Sequence, residues 1–157
     1  MCGATVMGYG GSPAATTITS APAYTGSALS WLSAKARPFN KKLNDDQAVV
    51  DVASAATSEL DVTAYFGRLA WACTRLADDA RRAQEVQAAP TASLATVWQH
   101  MVAHTETYAS DCLTLTRTRS TAALARWDRS LKAMNSASGA LNSEVNAVRS
   151  GSNAPAS

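Results

Sequence analysis

The stretch TASLATVWQHMVAHTETYASDCLTLTR, residues 91–117, decides the fold. Within it Leu94, Trp98, Met101, Thr105, Tyr108, Cys112 and Leu115 recur at alternating steps of four and three, the spacing of one face of an α-helix. A strand would need a period of two. Thr91, directly after Pro90, is placed to cap the first turn with its hydroxyl oxygen. The segment predicts an amphipathic helix over about 92–117 with one apolar stripe turned inward.

The same pattern recurs on both sides. Upstream, Tyr65, Leu69, Cys73, Leu76 and Ala80 step by four, four, three and four, predicting a helix capped by Asp61 and running to about Gln87. Downstream, Leu124, Trp127, Leu131, Met134, Leu141, Val145 and Val148 share a stripe on a helix over 121–149. Gly139 weakens its middle by about 1 kcal/mol relative to Ala and invites a local kink. A further helix over 38–57 carries Phe39, Leu43, Val50 and Ala53 inward, with Lys41, Lys42 and Asp45 outside. Its stripe breaks between Leu43 and Val50, where helical stepping lands on Asp46 or Gln47, and it is the weakest of the four. A short lead-in over 27–36 holds Leu29, Trp31 and Leu32. Trp31 either caps the apolar end of the bundle or stays exposed as a contact. Pro38 either opens the next helix at its first turn, where its missing N–H costs nothing, or kinks a continuous one.

Short connections near 58–60, 88–91 and 118–120 force successive helices to run antiparallel. The predicted fold is all-α: an antiparallel up-down four-helix bundle with a short N-terminal lead-in helix and disordered termini. Residues 1–26, rich in Gly, Ala, Ser, Thr and Pro, read as a flexible tether; 27–149 form the helical bundle domain; 150–157 form a disordered tail.

Composition agrees. The chain has 157 residues, enough for one domain, and 46% are hydrophobic, enough for a core. Alanine, the best helix former, dominates, while one isoleucine (Ile18) and 6% aromatics argue against a sheet. The 14 basic and 12 acidic side chains all lie from Lys35 onward, with a net charge of +2. That balance excludes a long, uniformly basic nucleic-acid surface. No apolar run approaches the roughly 18 residues of a membrane-spanning helix.

Cys73 and Cys112 sit on the inward stripes of consecutive antiparallel helices. Cys73 lies about 15 residues before the turn and Cys112 about 21 after it, a mismatch of about 9 Å at a rise of about 1.5 Å per residue. A bridge needs Cα atoms about 4.4–6.8 Å apart, so the loop or a helix offset would have to absorb the difference. The alternatives are a disulfide, which would imply an oxidising compartment, and two buried free thiols. Cys2 is a candidate lipidation site, since a bacterial lipoprotein begins at a lipidated cysteine followed by such a tether. The alternative is an arbitrary cysteine in a disordered terminus, and the chain carries no basic and apolar leader of its own.

Leu43, Asp46, Cys73, Leu76, Asp78 or Asp79, Pro90, Trp98, Tyr108 and Cys112 together resemble a group of small exported, lipoprotein-like helical-bundle proteins of actinobacteria with no settled function. The resemblance spans about 43–112, and its specific element is a Cys-x-x-Leu-x-x-Asp segment followed by a second cysteine about 40 residues on. It implies export, a Cys73–Cys112 bridge and an actinobacterial source. It carries no catalytic residue. The chain departs from that pattern in having His100 and His104 and a long fourth helix.

His100 and His104, the only two histidines, are one helical turn apart, with Tyr108 a turn further on. They are candidates for a transition-metal or Tyr/His haem site, although metal sites normally take three or four protein ligands. On this helix His104 flanks the stripe and His100 lies further out, so one rim histidine and one solvated histidine is the plainer reading. Arg126, Arg129 and Lys132 line up as a short basic strip able to meet phosphates or acidic lipids, or simply a solvated face balanced by nearby aspartates such as Asp128. Met7–Ser12 is glycine-rich but lacks the flanking strand and helix of a phosphate loop. No Gly-x-Ser-x-Gly elbow accompanies the serines, and the adjacent pairs Asp45-Asp46 and Asp78-Asp79 splay about 100° apart on a helix, poor geometry for an acid–base dyad.

The expected function is therefore a non-enzymatic exported or surface-tethered bundle with a binding or structural role, using an unknown protein or surface partner, no nucleic acid, no cofactor, and a membrane tether through Cys2. The competing expectations are a haem or transition-metal carrier using His104 and Tyr108, with His100, and a cytoplasmic or phage-derived partner-binding protein with reduced thiols.

Overall fold

The computed structural model describes residues 24–56 and 61–151. Their regular structure is α1 (Ala28–Trp31), a π-helical turn (Leu32–Ala36), α2 (Arg37–Ala55), α3 (Val62–Gln84), α4 (Ala92–Thr118) and α5 (Thr121–Arg149). No strand occurs among the described residues. Most of the predicted tether (1–23), the end of the tail (152–157), Cys2 and the glycine-rich Met7–Ser12 lie outside the described residues.

Four helices start on a side-chain cap. The Ser27 hydroxyl oxygen accepts from the Ser30 N–H, Asp61 from Ala64, Thr91 from Leu94 and Ser120 from Ala123. Each satisfies a backbone donor that the helix leaves open, an effect of about 1 kcal/mol. Between α4 and α5 the chain reverses over two residues. Arg119 takes the left-handed region at φ 51°, its N–H closes on the Leu115 carbonyl at 2.8 Å, and its guanidinium lies over the Phe66 ring.

Pro38 does not break the chain into two helices. With no N–H, it cannot make the regular bond back to residue 34. One residue earlier the Arg37 N–H reaches back five residues to the Leu32 carbonyl, and the wide π turn accommodates the ring. The lead-in therefore runs on into α2 without interruption through the π turn. Trp31 caps the bundle rather than facing solvent: it is fully buried, meets Trp98 edge-on with ring centroids 5.6 Å apart, and donates its indole N–H to the Gln87 carbonyl at 2.7 Å. Tyr24, inside the predicted tether, is bonded to the bundle. Its N–H binds the Ala88 carbonyl at 3.0 Å, and its phenol oxygen accepts from the Ser30 hydroxyl.

Successive long helices pack on one another, α2 on α3, α3 on α4 and α4 on α5, as the predicted up-down bundle requires. The α4 stripe from Leu94 to Leu115 is buried at each predicted position. α5 departs from expectation at its start, where Leu124 is exposed and Ala123 is buried. Trp127 fixes the rotation of α5 by stacking on Tyr108 at 5.6 Å, and Ala123, four residues earlier, takes the inward place. α5 is one unbroken α-helix through Gly139. Gly139 needs no special conformation there, and a Cβ added to it would meet only open space.

Candidate functional site

At the centre of the α3–α4 seam, Cys73 and Cys112 are joined by a disulfide with Cα atoms 6.2 Å apart, and both are fully buried. Cys73 stands 11 residues before the end of α3, whereas Cys112 stands 20 residues after the start of α4. The nine-residue offset, about 13 Å of helix at about 1.5 Å per residue, is taken up by the connection 85–91. That connection carries the chain past the end of α3 before α4 begins. Trp31 and Tyr24 hold it through the Gln87 and Ala88 carbonyls, and Ala89 is buried beneath.

The break in the α2 stripe is filled by charge. Asp46 is fully buried and Asp79 on α3 is 4% exposed. The Arg75 guanidinium donates to Asp46 Oδ1 at 2.6 Å. Lys42 pairs with Asp79 Oδ2 and lies 3.7 Å from Asp46 Oδ2, and Arg82 lies 3.7 Å from Asp79 Oδ1. Asp46 Oδ2 is buried with no donor in reach. Burial pushes the Asp46 carboxyl above the ordinary carboxylate range, and its hydrogen bond to Asp79 pushes the same way, outweighing Lys42 and Arg75. Burial also acts upward on Asp79, but hydrogen bonds from Asp46 and Lys42, with the charges of Lys42 and Arg82, hold it below that range. The two carboxyls are thus pushed in opposite directions, Asp46 toward its neutral form and Asp79 toward its charged form. Asp79 is the carboxylate that Lys42 and Arg82 face. On the surface, Arg75 also lies over the ring of Trp71, 5.0 Å from its centroid, and Trp71 is 57% exposed.

These assignments separate two isosteric substitutions. Asp46→Asn keeps an acceptor for Arg75 and supplies an N–H to Asp79, so its expected cost at pH 7 is below about 1 kcal/mol. Asp79→Asn removes the anion that Lys42 and Arg82 face, an expected cost of about 1–3 kcal/mol. Asp79, held low, contributes stability above the unfolded carboxylate value of about 3.9, lost as pH falls through its folded value. Asp46, held high, contributes stability below that unfolded value, lost as pH rises through its folded value. Urea unfolding from pH 3 to 8 checks this. Asp46→Asn should flatten the upper limb and Asp79→Asn the acid limb, and equal costs with unchanged limbs would refute the opposite shifts.

Beside this pair, Gln47 donates its amide to Asp51 at 2.8 Å and to the Tyr108 hydroxyl at 3.2 Å. Tyr108 is 1% exposed, and burial raises its phenol above the ordinary value. It belongs to the core and does not line the surface to which the histidines belong.

His100 and His104 are both exposed on α4, so the expected rim position of His104 is more open than the sequence suggested. With Val97 they form one wall of a groove of about 320 Å³, whose other wall is Ala133, Ser136, Ala137 and Ala140 of α5. Glu106 is taken by Gln84. No group of three or more His, Cys, Asp or Glu side chains among the described residues is arranged to hold a metal ion. In the basic strip on α5, Lys132 pairs with Asp128 at 2.7 Å. Among the described residues no helix is long and apolar enough to cross a membrane.

Sequence reasoning found the disulfide pair and the solvated His100, placed His104 only at the rim, and missed Asp46 with Asp79. The available signal was a charged residue on an otherwise apolar stripe, with Lys42 one turn before it. No family model matches the chain, and no curated protein or solved structure matches it significantly.

Proposed function

We propose that this chain is an exported, non-enzymatic helical bundle that binds a partner or serves a structural role outside the cytoplasm, held to the cell surface through a lipid on Cys2. The observation that supports export is the buried Cys73–Cys112 disulfide at the bundle's centre. Protein disulfides form and persist in oxidising compartments and are rare in the reducing cytoplasm. The binding role draws on the bundle's surface. Trp71 is exposed while its ring is held by Arg75, itself fixed to buried Asp46, which presents a rigid aromatic–cation pair of the kind enriched at interface hot spots.

The test is fractionation of the native host expressing the full gene, with thiols trapped at lysis. The expected result is an extracytoplasmic protein whose Cys73 and Cys112 resist alkylation until reduced, partitioning into detergent unless Cys2 is changed to Ser. Recovery from the cytoplasm with both helical thiols free would overturn the proposal and favour the cytoplasmic partner-binding reading.

A further inference from the structure

The two histidines are a feature that neither the core nor the proposed role uses. They are the only histidines in the chain, they stand at i and i+4 on one exposed flank of α4, and both line the same groove. Side chains at that spacing have Cβ atoms about 5–6 Å apart, close enough for both ring nitrogens to reach one ion at about 2.0–2.1 Å. The opposite wall is Ala133, Ser136, Ala137 and Ala140, small and uncharged, so an ion there meets open space and no opposing cation. The lining contains no other titratable group.

We propose that His100 and His104 chelate a single divalent transition-metal ion at the mouth of the α4–α5 groove. Imidazole suits the late first-row ions, and the expected order is Cu²⁺ tightest, with Ni²⁺ and Zn²⁺ below it. The rigid helix sets the spacing of the two donors before the ion arrives, so the second bond forms with little further ordering. Two protein bonds leave the remaining coordination positions to water, and the groove leaves room beside them for an exchangeable ligand such as a carboxylate or imidazole from another molecule. This differs from the haem or metal carrier expected from the sequence, because Tyr108 is buried against Trp127 and takes no part.

The test is calorimetric titration of the full chain, in a Cys2→Ser background that removes the one cysteine outside the disulfide, with Ni²⁺, Zn²⁺ or Cu²⁺ alone. The expected result is one ion per chain. His100→Asn and His104→Asn should each weaken Ni²⁺ binding by about tenfold or more, since each removes one of two protein bonds, and the double variant should abolish it. A second readout separates chelation from folding. The ion should raise the thermal midpoint of the parent and leave that of the double variant unmoved, with the two midpoints alike in the absence of metal. Single variants that bind as tightly as the parent, an unchanged double variant, or no binding of any of the three ions would each overturn the proposal.

Discussion

Reduction of the Cys73–Cys112 bridge is expected to lower the stability of the bundle by about 4 kcal/mol and its thermal midpoint by about 15 °C. The bridge spans a sequence separation of 39 residues. In the chain-entropy account, closing such a loop removes freedom from the unfolded chain, so less is lost when it folds. The closed loop contains the second half of α3, the 85–91 connection and most of α4. It therefore restrains the one connection that must make up the helix offset. Circular dichroism melts with and without a phosphine reductant measure the effect, with a Cys73→Ser/Cys112→Ser variant as the covalent counterpart. The Cys2→Ser background should melt like the parent in both conditions. A midpoint shift under about 5 °C on full reduction would mean that the seam is held by packing alone.

Trp31→Ala is the second large effect, expected to cost about 3–5 kcal/mol. Three things are lost together. The largest fully buried side chain leaves a cavity against Trp98, the edge-on aromatic contact disappears, and the Gln87 carbonyl loses its indole donor. Trp31→Phe keeps most of the packing and loses the hydrogen bond, at about 1–2 kcal/mol. The loss should also be local in character. α1 is only four residues long and is held down by Trp31, so hydrogen exchange should accelerate first over 28–36 and 85–91, ahead of α3 and α4. A Trp31→Ala protein with parental stability would place this side chain outside the core.

The helices were legible because their stripes and caps carry a local mechanism. Asp61 and Thr91 are caps whether or not the tertiary fold is known, and the four-and-three stepping of α4 needs no partner to be seen. What depended on distant contacts was not legible. Pro38 permits a separate helix or a continuous one; the run is continuous, and Trp31 ties its lead-in to Gln87, 56 positions away. Asp46 reads along α2 as an interruption, and becomes a connection only once α3 supplies Arg75 and Asp79 in register. The row His100, His104, Tyr108 misleads for a geometric reason. Each step of four residues advances about 40° around the helix. The row therefore walks from the exposed flank into the core, leaving the histidines at the groove and Tyr108 against Trp127. Leu124 was misplaced for a related reason: the stacking of Trp127 on Tyr108 sets the rotation of α5, and no residue near 124 reports it.

The claim on which the extracytoplasmic reading rests is the bond between two buried sulfurs, and peptide mapping addresses it directly. The protein is isolated from its native host with thiols blocked, digested with trypsin without reductant, and weighed. The expected product is peptide 69–75 linked to peptide 83–117, falling apart only when reductant is added. Those two peptides appearing separately, each already carrying the blocking group, would contradict it.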